Sequence, residues 1–121
     1  MSYQLKCQNL HAMVGQGQML EAFEKYFHDE VVVIDGPSEP RNGKDAQRKA
    51  LAEWASQIQE MHGGGVKGMT ADEQNGITMA ETWVDVTFKD GNRMKMDEVA
   101  VQKWDGDQII HERFYYNAPD A

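Results

Sequence analysis

The feature that most limits what this chain can fold into is a change in the period of its apolar residues. Up to about residue 61 they recur at spacings of three and four, and from Val66 onward they alternate. The first spacing lines one face of a helix, the second one face of a strand. A chain that is helical first and stranded later is expected to lay helices against one side of an antiparallel sheet, as an α+β domain. With 121 residues it has material for one core, and a single domain over residues 1–121 is expected.

Three helices are expected, at 3–14 (Leu5, Leu10, Met13, Val14), 19–28 (Leu20, Phe23, Phe27) and 44–61 (Ala50, Leu51, Trp54, Ile58, Met61). Asn42 reads as the N-cap of the third and Gly63-Gly64-Gly65 as its C-terminal stop. A weak strand at 66–71 precedes long strands at 77–89, 93–104 and 108–116, with hairpin turns at Asp90-Gly91 and Asp105-Gly106. Met94 and Met96 share one parity and Val99 and Val101 the other, so a β-bulge is predicted around Asp97-Glu98. Long, twisted, bulged strands would curl around the third helix and leave a conical cavity.

The totals exclude several functions. A net charge of −8, with scattered Lys and Arg, argues against nucleic acid and anionic membrane surfaces. No stretch nears the roughly 18 apolar residues of a membrane span, and residues 1–10 lack a signal peptide's apolar run, so a cytoplasmic location is expected. Cys7 is the single cysteine, which leaves no disulfide and no cysteine-based metal site. His11, His28, His62 and His111 show no ligand spacing, and no phosphate-loop or dinucleotide pattern occurs. Neither metal nor cofactor is expected.

The chemistry concentrates in Val31–Gly43, VVVIDGPSEPRNG. Four β-branched residues make a buried strand that ends on Asp35, ahead of a loop stiffened by Pro37 and Pro40. A carboxylate facing a cavity there would have its pKa raised by desolvation and suit general-base work. An Asx-turn is the other reading of the same residue. On the last strand Ile110, Glu112, Phe114 and Tyr116 share one face, and Ile109, His111, Arg113 and Tyr115 the other. Glu112 among aromatics needs a partner or a proton. It would pair with Asp35 as acid and base, orient a ligand through Tyr116, or serve structurally beside Arg41 or Arg48. His11 on the first helix and Trp54 on the third are further candidates to touch a pocket.

The element order, the run YFHDEVVVIDGPSEPRNGKDAQRKAL and the turn Trp104–Ile109 resemble the NTF2-like superfamily, in particular its SnoaL-like and ketosteroid-isomerase-like branch. The resemblance implies a cone-shaped α+β barrel with one apolar pocket, often a homodimer packed sheet to sheet. It implies that Asp35 matches the isomerases' proton-shuttling base, that the last-strand face holding Glu112 turns to the pocket, and that Asp97 lies near the oxyanion-stabilising Asp. Leu10 or His11 stands where the isomerases place a Tyr. The function expected is binding of a small apolar molecule, with cofactor-free isomerase, cyclase or epoxide-hydrolase chemistry using Asp35 and Glu112. The alternative is a non-catalytic ligand-binding or homodimerisation domain.

Overall fold

The computed structural model describes residues 2–116. Helix α1 (Tyr3–Gly15) begins at Ser2, whose side-chain oxygen accepts the Leu5 amide at 3.1 Å. Its first free amides, Tyr3 and Gln4, donate to the Glu73 carboxylate at 2.8 and 3.0 Å. An acidic group from a distant turn thus completes the helix start and complements its dipole. Lys6 pairs with Asp107 at 2.8 Å, so α1 is tied to two turns of the sheet at once.

Helix α2 (Met19–Tyr26) runs directly into strand β1 (Phe27–Asp35), followed by the two-residue β2 (Arg41–Asn42) and helix α3 (Lys44–Ser56). The strands β3 (Ile58–Asp72), β4 (Ile77–Phe88), β5 (Arg93–Asp105) and β6 (Gln108–Tyr115) complete the chain. They form one curved, unclosed sheet in the order β2-β1-β6-β5-β4-β3, with β1 parallel to β6 and every other pair antiparallel. This is the α+β cone expected. Among the described residues no helix is long and apolar enough to cross a membrane.

The narrow end is filled by Cys7, Leu10, Phe23, Tyr26, Phe27, Val31, Val33, Trp104 and Ile109. Phe23 and Phe27 stack tilted at 4.9 Å, and Tyr26 meets Trp104 edge-on at 5.6 Å, both favoured aromatic geometries. Outside this core, Glu24 on α2 holds Arg48 through two 2.8 Å contacts and Lys44 at 3.4 Å, which fastens α3 to α2.

Three local expectations are corrected. Asn42 does not cap α3: it lies in β2, and Gly43, with φ +96°, stands at the cap position. No bulge occurs at Asp97-Glu98, because β5 pairs with β4 in unbroken register. Alternation from buried Trp104, Gln102 and Ala100 carries on through Glu98, Met96 and Met94 on the inner side, and Val99 and Val101 face outward.

The third correction concerns Gly63-Gly64-Gly65, which is not a helix stop. Helix α3 ends at Ser56, and the glycines lie inside the 15-residue strand β3. Their role is read from the neighbouring strand. A Cβ on Gly63 would lie 2.8 Å from the Trp83 ring, and one on Gly65 3.3 Å from its indole nitrogen. The glycines leave room for that indole to lie across β3. Gly63→Ala is therefore expected to destabilise the fold by about 1–3 kcal/mol through overpacking, against the usual gain of replacing a strand glycine. On a Trp83→Ala background the loss should disappear. Equal losses in both backgrounds, measured by urea denaturation, would refute the contact.

Candidate functional site

The site grows from sheet register. Val33 on β1 stands opposite Arg41 on β2 and beside Glu112 on β6, Glu112 opposite Gln102, and Gln102 opposite Thr78. Paired residues share a face, so this row looks inward together. The next row is Asp35, Phe114, Ala100, Ala80 and Met69. Asp35 follows the inward parity of the fully buried Val31 and Val33, but at the strand end its side chain remains 40% exposed.

Glu112 is 4% exposed and accepts a 2.5 Å hydrogen bond from the Gln102 amide nitrogen. The Gln102 oxygen accepts from the Thr78 hydroxyl at 3.1 Å, and that hydroxyl in turn accepts the Trp104 indole N–H at 2.9 Å. Buried polar groups are tolerated when satisfied in this way, and the relay explains a Gln and a Thr inside an apolar core. Burial pushes the Glu112 carboxyl up to about 7, with the Glu98 and Asp35 charges adding to the rise and the Gln102 hydrogen bond and Arg41 opposing it. Glu98, half-buried on β5, is likewise raised to about 7, by burial first and by Asp35 second.

Tyr116 completes the cluster. A Cβ on Gly36 would fall 2.8 Å from its ring, so Gly36, at φ +58°, lets the phenol settle against the turn after Asp35. Burial, then the Asp35 carboxylate, raise the phenol's pKa. Arg41 places its terminal nitrogen 3.7 Å from Asp35, and its Nε donates to the oxygen of buried Gln47 at 2.8 Å.

The remaining predicted residues distribute as follows. Phe114 lies in the Asp35 row and packs against the core. Trp54 is half-buried on α3. His11 is on α1 with a buried Nε2 that has no partner among the described residues, and burial lowers its pKa. Asp97 stands on the outer face of β5, paired with Lys67 at 2.9 Å. At β6 a register shift puts Ile109 fully into the core and leaves Ile110 half-buried. Sequence reasoning names Glu98 only as part of a bulge and Arg41 only as a structural partner, and it does not reach Gln47. For Glu98, the parity of Met94 and Met96 was the available signal. Among the described residues no group of three His, Cys, Asp or Glu side chains is placed to hold a metal ion.

Two surface depressions lie elsewhere: about 370 Å³ beside Ser56, Gln57, Phe88, Lys89 and Asp90, and about 400 Å³ beside Lys67, Trp83, Lys95 and Asp97. Neither touches Asp35, Glu98 or Glu112. The carboxyls with raised pKa values lie away from both depressions, on the inward rows of the sheet.

Three helices against a curved, unclosed six-stranded sheet make an NTF2-like architecture, shared with an NTF2-like protein of unknown function from Burkholderia pseudomallei (TM-score 0.80, 11% identity, 97% of this chain and 92% of that one). Within that architecture the chain belongs to the SnoaL-like domain family, which matches residues 1–116. It is similar to a candidate SnoaL-like polyketide cyclase from Mesorhizobium loti, with 31% identity, TM-score 0.83, and coverage of 96% of this chain and 100% of the other. A candidate polyketide cyclase from Pseudomonas putida shares the fold at 14% identity, TM-score 0.83, over 99% of this chain and 95% of that one. No protein of curated function matches the chain.

The carboxyls give a pH signature with a definite sign. Glu98 and Glu112 rise from 4.5 to about 7 on folding, so between those values the folded chain binds more protons than the unfolded one. Their contribution to stability is complete below about 4.5 and is lost as pH rises through about 7. Glu24, lowered to about 2 first by its hydrogen bond from Arg48, acts oppositely and only below 4.5. Wild type should therefore be most stable near about pH 5 and lose roughly 1–3 kcal/mol towards pH 8. Glu112→Gln, which can still accept from Gln102, should flatten that decline. An unchanged slope in Glu112→Gln, read from denaturation midpoints at each pH, would show that Glu112 is not a buried acid.

Proposed function

We propose that the chain binds a small, largely apolar molecule on its concave face and performs cofactor-independent acid/base chemistry on it, of isomerase, cyclase or epoxide-opening type. The observation that carries this reading is the company of Asp35: Glu98, Glu112 and Tyr116 all have pKa values raised in part by its charge. Carboxyls held in different environments within one site divide naturally into acid and base.

In this reading Asp35, the most accessible of the three, removes a proton from carbon beside a carbonyl, or from the nucleophile of a ring closure or epoxide opening. Glu98, poised at about 7, keeps much of its proton at neutral pH and donates it towards the developing oxyanion. Tyr116, whose phenol stays protonated, adds a second donor. Together they take the part that the isomerases give to a Tyr and a neutral Asp. Glu112 is a positioning group that keeps a proton in reserve behind Glu98. Phe114, Trp54, Met94 and Met96 supply apolar contact to the body of the molecule.

Support for a second reading, a homodimerising or purely ligand-binding module, comes from the outer face. Met79 and Tyr115 are 44% and 50% exposed there, beside half-buried Val99 and Val101. Such a patch suits a sheet-to-sheet dimer, and the two readings are compatible.

A screen of ketone, lactone and epoxide substrates tests the catalytic reading. Asp35→Asn should cost about 10²–10⁴-fold in rate. In wild type kcat/KM should fall above about pH 7 as Glu98 loses its proton, and Glu98→Gln should abolish that limb. Turnover that survives Asp35→Asn undiminished would remove Asp35 as the base.

A further inference from the structure

Arg41 is held in an unusual way. Its Nε is fixed at 2.8 Å on Gln47, a side chain 4% exposed in the middle of the first two turns of α3. The guanidinium carries five N–H donors, of which this bond uses one. Asp35 lies 3.7 Å away, close enough for Coulomb attraction but too far for a hydrogen bond. Among the described residues the four terminal N–H groups have no hydrogen-bonding partner and reach solvent, on a side chain 29% exposed. Register places Arg41 in the inward row with Val33 and Glu112.

Neutral Gln47 is the informative partner. An arginine anchored only by Asp35 would be released each time Asp35 took up a proton. Anchored on an amide, the guanidinium holds its place whatever the charge of the base beside it. Its free edge is a planar fork whose spacing matches two oxygens of a carboxylate, or one oxygen of an enolate.

We propose that Arg41, positioned by Gln47, selects substrates that carry an anionic oxygen. The substrate class is a small apolar molecule with a carboxylate, or an equally acidic enol, adjoining the carbon or nucleophile on which Asp35 acts. This rests on the acid/base reading for the identity of the site, but anion recognition is measurable without turnover. Arg41 binds the anionic group, Gln47 is its positioning residue, and the apolar body extends towards Phe114 and Trp54.

The test is a fluorescence titration with a matched pair of probes, naphthalene-2-carboxylate and its neutral carboxamide, at pH 6. Wild type should prefer the carboxylate by about tenfold or more, the usual scale of a charge-assisted hydrogen bond pair. Arg41→Gln should bring the ratio to about one, and Gln47→Met should bring it most of the way there. A merely structural role for Gln47 would weaken both probes alike and leave the ratio intact. Asp35→Asn should keep the preference, which separates recognition from catalysis. Equal binding of the two probes by wild type, or a preference that persists in Arg41→Gln, overturns the proposal while leaving the proposed binding face standing. Binding of neither probe overturns both together. If Gln47→Met fails to fold, Arg41→Gln decides alone.

Discussion

The parallel ladder between β1 and β6 sets Val33 beside Glu112 and Asp35 beside Phe114, and the rest of the site follows from that alignment. On one edge β1 takes its chain neighbour β2; on the other it waits for the last strand, and the intervening chain must return from across the whole sheet. Because side chains alternate, a slip of β1 by one residue would turn Asp35 outward while Glu112 stayed inward, and the two would part. Flanking core contacts prevent this: Val31 and Val33 are fully buried, and Ile109 locks the near end of β6. The register that assembles the carboxyls is thus held by the apolar residues on either side of them.

Gathering three carboxyl groups on one face has a cost that the structure offsets in two ways. Glu112 is deep but satisfied, through Gln102, Thr78 and Trp104, and its raised pKa lets it shed charge rather than carry it unpaired. Asp35 is shallower and keeps company with a guanidinium. Glu98 stands between these cases, half-buried and sensitive to the charge on Asp35. A gradient of exposure across a few residues thus gives carboxyl groups of one chemistry different environments.

Much of this was readable from the sequence, and the failures have physical causes. Asp35 stood out because a β-branched run breaks on Gly36-Pro37, and the turn there does bend sharply. Glu98 was hidden because the outer face of β5 is itself apolar at Val99 and Val101, so alternation favoured the wrong face beyond Asp97. The Gly63–Gly65 run read as punctuation because its reason, the Trp83 indole, lies about twenty residues along and only register brings it alongside. Ile110 was assigned inward by parity, which a bulge on β6 defeats. In each case local pattern was sound and a cross-strand neighbour decided the outcome.

The sheet's failure to close gives these errors a common meaning. β2 is two residues long and cannot offer a ladder to β3, so the cone stays open between its edges. Each edge is protected in its own way: β2 by brevity and the preceding Pro40, β3 by three register shifts and Lys67, both of which discourage pairing with another chain. Stability comes from the closed end, where α1, α2 and the aromatic cluster exclude water. The uncovered end is then free to hold groups that a packed core would reject, and it is there that Glu98, Met94 and Met96 remain half-exposed. A fold that keeps its apolar packing at one end can place ionisable groups at the other without losing its register, because the strands that carry them are anchored before they reach the site.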